Sequence, residues 1–369
     1  MSHTVVLQSD HGPPLDLAAV EAAISTEWLT KALSGAVPGA VVTARRIDRV
    51  LVGCSVKVFL SLACNDTALR AGLPTKVVLK SGFGRHGEFM EFTYLAEMLS
   101  YRDVLAHLRI RAPHCHYAGP SPTGGSVALI LEDLSARGVR FCHAQTPLSV
   151  DEATAFVRAL AEFHSQSWNI TKQPLLLADW RKRAVRITES YAGYFAALMK
   201  PESWAACMKL PRGAAIPMSY HDRDRILAGL TRMQQLNGAL PHCVAMGDEH
   251  LGNLYIERDG APGFLDFQAR VCPWIEGLCY FIIAALDVVD RREAERYLIQ
   301  QYLATLAQCG ITAPDFDAAW QAYRRSILQT VVVWATNSPV FQTEAVNTAY
   351  ATRASMAAID HDVFGLLEV

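Results

Sequence analysis

The chain reads as an α+β protein of two lobes, a small strand-rich one followed by a larger, mainly helical one. Three observations predict this. β-branched and alternating apolar runs crowd the first third of the chain, and helical spacing dominates beyond about residue 150. A length of 369 residues, at about 150 per domain, leaves room for two lobes. The character changes after Glu132-Asp133-Leu134-Ser135, so a hinge is expected there, with lobes of residues 1–134 and 135–369.

Taken in order, Thr26 to Leu33 reads as a helix with Ser25 or Thr26 as cap and Gly35 as stop. Arg46–Val52 and Lys57–Ala63 read as strands around Gly53-Cys54-Ser55, Asn65–Pro74 as a polar connection, and Thr75–Lys80 as a third strand. Between Glu88 and Tyr101 the residues Phe89, Phe92, Leu95, Ala96 and Leu99 recur at three- and four-residue spacing, which predicts a helix. Cys115–Ala118 and Val127–Leu131 are two more strands about the Ser121–Gly125 turn. Phe156, Leu160 and Phe163 place a helix over 151–168 with Ser149 as cap. Phe316, Trp320, Tyr323, Ile327, Val331 and Trp334 step by three or four and predict another.

Composition narrows the function. With 34 Lys/Arg against 36 Asp/Glu, the net charge of −2 argues against a general nucleic-acid binder. The longest near-apolar run, Leu278 to Leu286, is about half of what spans a bilayer, and the first residues lack a signal-peptide pattern. The nine cysteines contain no C-x-x-C and suit a reducing compartment, so a cytoplasmic protein with no membrane partner is expected. His114-Cys115-His116 lie too close together to wrap one tetrahedral ion and read as strand.

Nucleophile-elbow, Walker A and H-E-x-x-H patterns are missing. Gly82, Gly84 and Gly87 form a G-x-G-x-x-G, but no acidic residue ends a second parallel strand after it. A flexible turn is therefore preferred over a dinucleotide site. The dense region is 246–268. Asp259-Gly260 signals a hairpin between Leu254–Ile256 and Gly263–Phe267. With those two residues at the tip, Asn253 stands opposite Asp266, with Asp248 just upstream, and Pro262 lengthens the loop if it shifts the register. Converging oxygen donors suit Mg²⁺, and a free carboxylate beside them can orient or deprotonate a hydroxyl. Asn and Asp are also ordinary turn formers, and Lys80 taken alone is also an ordinary strand-end lysine.

Asp248-x-x-x-x-Asn253, with Asp266-Phe267 following 18 residues after the first Asp, resembles the catalytic loop and metal-binding Asp of kinases. Gly247-Asp248-Glu249-His250-Leu251-Gly252-Asn253 resembles the aminoglycoside phosphotransferase and choline kinase-like superfamily. Leu265-Asp266-Phe267-Gln268 is most similar to its ecdysteroid-kinase-like branch. The resemblance covers about residues 25–290. It implies a bilobal protein-kinase-like fold in which Asp248 is catalytic, Asn253 and Asp266 hold Mg²⁺, and Gly53 and Ser55 cover the phosphates of ATP. Lys80 would reach those phosphates with Glu91 as its partner and Glu88 as a competitor for that role, while Glu132 and Leu134 would hold adenine through the backbone. Two positions depart from the pattern. Met246 stands where His is usual, and Gly277 stands where Asp is usual, with Glu276 the nearest substitute.

The expected function is ATP-dependent transfer of a γ-phosphate to a small-molecule hydroxyl. A non-catalytic nucleotide-binding protein of the same fold is the alternative that Met246 and Gly277 suggest, and an aminoglycoside or choline-type kinase is another. Residues 169–246 hold 11 Lys/Arg against 5 Asp/Glu and 287–369 hold 6 against 10, a combined net of +2 that is a poor match to a polycationic acceptor. Trp168, Trp180, Tyr191, Tyr194, Phe195, Trp204, Trp320, Tyr323 and Trp334 point instead to apolar walls and a neutral or weakly charged hydroxylated ring.

Overall fold

The computed structural model describes residues 4–7, 16–83 and 90–369. Gly84, Gly87 and Glu88 lie outside the described residues. The chain separates into two compact units, residues 1–103, 112–139 and 339–343 in one, and 104–111, 140–338 and 344–369 in the other.

The first unit is built on a six-stranded sheet. Its strands are β1 (Thr4–Leu7), β2 (Val42–Val52), β3 (Val56–Cys64), β4 (Lys76–Ser81), β5 (Cys115–Pro120) and β6 (Val127–Glu132), in the order β1-β2-β3-β4-β6-β5. All pairings are antiparallel except β1 with β2. Alternation along β3 buries Val56, Val58, Leu60 and Leu62 on one face. These pack with Val77, Leu79 and Ile130 against helices α1 (Leu17–Ala23) and α2 (Thr26–Ser34), through Val20, Leu29 and Leu33. Ser25 caps α2, its side chain accepting from Trp28 N at 3.1 Å. The polar connection after β3 holds a short helix, α3 (Asp66–Arg70), that periodicity does not reveal. Asn65 caps it by accepting from Ala68 N. Helix α4 runs over Glu91–Leu99 and passes into a π-helical turn at Ser100–Val104.

The second unit is mainly helical. Its helices are α5 (Val150–Ser165), α6 (Ala178–Leu198), α7 (Pro201–Met208), α8 (Pro211–Ala215), α9 (Arg223–Asn237), α10 (Ile275–Ala285), α11 (Val288–Gln308), α12 (Phe316–Thr336), α13 (Glu344–Asp360) and α14 (Val363–Leu367). Helix α10 is apolar nearly all round and accordingly buried, packing on α12. Two small sheets carry the loops of interest. In one, β7 (Arg140–Phe141) and β9 (Leu254–Ile256) pair, and β9 also pairs with β10 (Pro262–Phe264). In the other, β8 (His242–Ala245) pairs with β11 (Arg270–Pro273).

The β9–β10 register corrects the sequence reading by one residue. Ile256 pairs Pro262 and Leu254 pairs Phe264, so Asn253 faces Leu265, whose N–H donates to Asn253 O at 2.8 Å. Asp259-Gly260 does not form a two-residue tip. The loop closes earlier, with Glu257 N donating to Ala261 O, and Gly260 takes φ +84° inside it.

Candidate active site

In the first unit, the antiparallel register sets Lys80 of β4 between Lys57 of β3 and Leu129 of β6. Lys80 is 5% exposed, so it is not a solvated strand-end lysine. Its Nζ lies 2.7 Å from Glu97 Oε1, a carboxylate that is also buried. An ammonium in such surroundings requires a partner of this kind. The expected partner, Glu91, lies at the first turn of α4 and accepts from Ser126 Oγ at 3.0 Å. Among the described residues Lys80 pairs with Glu97, six residues along, and not with Glu91, because position 97 faces inward and Glu91 is only half-buried.

Ser55, Lys80, Ser81, Tyr94 and Glu97 line one small pocket. Tyr94 donates to Cys54 O at 2.6 Å and so ties α4 to the β2–β3 connection, where Gly53 N donates to Ser55 O. Tyr94 also explains Gly82. A Cβ there would lie 2.2 Å from the Tyr94 ring, so glycine serves packing at this position. Gly53, Glu91, Glu132 and Leu134 do not line that pocket. Glu132 ends β6 and accepts from Arg137 Nη1 at 2.8 Å, while its own N–H donates to His114 O. Leu134 is buried and opens a 3₁₀ turn capped by Asp133. His114, just before β5, and His116, within it, meet edge to face at 4.5 Å, and burial pushes His116 down to about 4.

In the second unit, β8 runs directly into Met246-Gly247-Asp248, and Gln268, just before β11, returns its N–H to Met246 O at 2.9 Å. The loop holding Asp248 and the segment holding Asp266 are thus joined by main-chain bonding. Asn253 Nδ2 donates to Asp248 Oδ2 at 2.9 Å and to Asp248 O at 3.0 Å. Tyr280 OH, from α10, donates to Asp248 Oδ1 at 3.1 Å. His250 Nε2 lies 3.2 Å from Asp248 Oδ2, and its Nδ1 accepts from Gly252 N, which leaves the ring proton on Nε2, facing the carboxylate. Burial alone would raise the pKa of Asp248. His250 beside it, with the hydrogen bonds from His250, Tyr280 and Asn253, outweighs burial and holds the carboxyl below its usual range.

Asp266 takes φ +52°, a left-handed conformation that Asp tolerates better than most residues. Its charge acts on His250, so Asp248, His250, Asn253 and Asp266 form one polar cluster. No group of three His, Cys, Asp or Glu suited to a metal occurs among the described residues. The donors present are an amide and a carboxylate. Because Asn253 spends its NH₂ on Asp248, its Oδ1 is the atom left to accept or ligate. That set fits Mg²⁺, which takes one or two protein oxygens and fills its shell from water and phosphate.

Sequence reasoning missed His250 and Tyr280 as partners of Asp248. His250 offered a signal, two residues from Asp248 on a short loop. Tyr280 offered none, since only the packing of α10 brings it there. The substituted positions are also resolved. Met246 is fully buried, and Glu276 pairs with Arg270 at 3.4 Å rather than reaching the loop. Trp168, Trp180, Trp204, Tyr323 and Trp334 are buried in the core and are not walls of an open site. Tyr191, Tyr194 and Phe195 on α6 are half-buried, as is Trp320.

Against this geometry stand the comparisons with known proteins. The family model described as ecdysteroid kinase-like matches residues 93–312. Among solved structures, an ethanolamine kinase of Plasmodium vivax is similar at 12% identity with a TM-score of 0.50, over 85% of this chain and 81% of that one. A choline kinase of Cryptosporidium parvum Iowa II is similar at 12% identity and TM-score 0.47, over 92% and 95%. A macrolide 2′-phosphotransferase of Brachybacterium faecium is similar at 13% identity and TM-score 0.40, over 88% and 97%. The first of these likenesses is one of fold. No curated protein matches the chain significantly. No described helix is long and apolar enough to cross a membrane.

Proposed function

The chain belongs to the ecdysteroid kinase-like family, and on that premise we propose that it transfers the γ-phosphate of ATP to a hydroxyl of a small molecule. The observation that carries this reading is Asp248, a carboxylate kept ionised by three donors and set in one polar cluster with the amide of Asn253 and a second carboxylate, Asp266. Phosphoryl transfer asks for positioning and charge neutralisation more than for covalent chemistry.

Asp248 orients the acceptor hydroxyl and takes its proton as transfer proceeds. Asn253 and Asp266 hold Mg²⁺, which when bound neutralises phosphate charge. Lys80, fixed by Glu97, contacts the α- and β-phosphates, and Gly53 and Ser55 cover them. Glu132 and Leu134 present the backbone to adenine. On this reading residues 1–134 are the nucleotide-binding lobe and 135–369 the catalytic and acceptor-binding lobe.

The acceptor is proposed to be a neutral or weakly charged, partly apolar hydroxylated ring. Residues 169–246 and 287–369 together carry a net of +2, which disfavours a polycation, and Tyr191, Tyr194 and Phe195 of α6 remain as apolar surface to meet such a ring. The test measures ADP release, with and without Mg²⁺, on kanamycin-type polycations beside hydroxylated apolar ring compounds at equal concentration. Mg²⁺-dependent turnover on the apolar compounds is expected. Turnover of polycations alone would overturn the acceptor class. Binding of ATP with no turnover across a broad panel of hydroxylated metabolites would favour a non-catalytic nucleotide-binding protein.

A further inference from the structure

We propose that Glu249 is the positioning residue of the loop that carries Asp248, and that residue 277 is glycine because the Glu249 carboxylate occupies the space its Cβ would fill. This rests on the reading of Asp248 as the catalytic carboxylate.

Four observations converge. Glu249 is 1% exposed, although it neighbours a residue that reaches solvent. Its Oε1 turns back to accept the N–H of Gly247 at 3.0 Å. Gly247 itself sits at φ +100° with no room for a side chain, since a Cβ would lie 2.2 Å from Gln268 O. Finally, a Cβ on Gly277, in the first turn of α10, would lie 2.7 Å from Glu249 Oε1. The carboxylate therefore pins a glycine held at positive φ one residue before Asp248, and that glycine abuts the segment two residues after Asp266. Burial raises the pKa of Glu249, while Arg270 nearby opposes that rise. Glu276 does not share the task, because it is turned to Arg270.

A buried carboxylate bonded to a main-chain N–H beside a catalytic loop fixes geometry and touches no reactant. Losing it should loosen the loop and slow transfer while leaving nucleotide affinity in place. The carboxylate can also be supplied from the other side of the same volume, by an aspartate on α10.

The experiment compares wild type with Glu249→Ala, Glu249→Gln, Gly277→Ala and the double variant Glu249→Ala/Gly277→Asp. Deuterium exchange of a peptide spanning residues 246–253 is read beside kcat and the KM for ATP. Glu249→Ala and Gly277→Ala are expected to speed exchange of this peptide at least about tenfold, the size of one hydrogen bond to a charged group. They should lower kcat with the ATP KM within about twofold, the pattern of an interaction that matters to transfer and not to nucleotide binding. Glu249→Gln keeps an acceptor oxygen and should stay near wild type. The double variant should recover most of the lost protection. Unchanged exchange in Glu249→Ala, or a double variant no better than Glu249→Ala at equal thermal stability, would overturn the proposal. If exchange responds as expected and wild type consumes no ATP with any acceptor, the positioning stands and the kinase reading fails.

Discussion

Both oxygens of Asp248 are hydrogen-bonded, Oδ1 by Tyr280 and Oδ2 by Asn253, with His250 also on Oδ2. A carboxylate held this way is a weak base with a fixed direction, suited to aligning a hydroxyl. Asp248→Asn should therefore keep the fold and ATP binding but cut turnover by at least about 10²-fold. Steady-state rates and a thermal melt on the same preparation check it, and near-native turnover would remove Asp248 from the role. Lys80 and Glu97 make a different kind of pair, both buried and 2.7 Å apart. Removing either breaks a buried ion pair, a change that costs about 3–5 kcal/mol. Lys80→Met with Glu97→Leu should cost much less than the two single changes added together. Glu91→Gln, at a half-exposed position bonded to Ser126, should move stability by no more than about 0.5 kcal/mol. Denaturant melts of the set separate the two partners.

At the scale of elements, helix ends are anchored by short polar side chains that are visible in the chain. Ser149 accepts from Glu152 N at 3.2 Å while the Glu152 side chain accepts from Ser149 N at 2.9 Å, a complete capping box on α5. Ser149→Ala should cost about 1 kcal/mol, read as a shift of the urea midpoint at unchanged slope. The β9–β10 hairpin shows the opposite case. Its strands and turn residues are legible, yet its register moved by one because the five residues Glu257–Ala261 close the loop rather than two. Local turn signals do not decide between loop lengths when Pro262 sits beside them. Pairing of the flanking strand β7 with β9 settles it.

At the scale of the molecule, the helical unit buries a neutral histidine. His164 Nδ1 meets Tyr302 OH at 2.7 Å, joining α5 to α11, and burial pushes its pKa down to about 3. An unfolded histidine takes up a proton below about pH 6.5, and this native one does not until far lower. Between those values the unfolded state binds more protons, so stability falls as pH falls, by about 1.4 kcal/mol per pH unit for this group. His164→Gln, which keeps a partner for Tyr302, should flatten the acid side of the stability profile. An unchanged slope between pH 6 and pH 4 would show that the ring is not buried neutral. His116, pushed down to about 4 by burial and by His114, adds to the same trend from the sheet unit.

Period and turn chemistry by themselves determined the strands and helix between residues 46 and 131, the two-lobed α+β class and the converging donors Asp248, Asn253 and Asp266, while Lys80 was singled out by the family resemblance. These features are local, carried by side-chain spacing along a few turns or strands, and so can be read from one dimension. What only the tertiary structure decided is who meets whom. Glu97 rather than Glu91 reaches Lys80, Tyr280 and His250 close on Asp248, and Glu249 fills the space above Gly277. Nine candidate wall aromatics were reduced to Tyr191, Tyr194, Phe195 and Trp320 by the same means, since the other five are buried in the core. Such pairings depend on which face of a helix turns inward and which distant element packs over it. Spacing along one segment constrains neither, because burial is a property of the assembled fold.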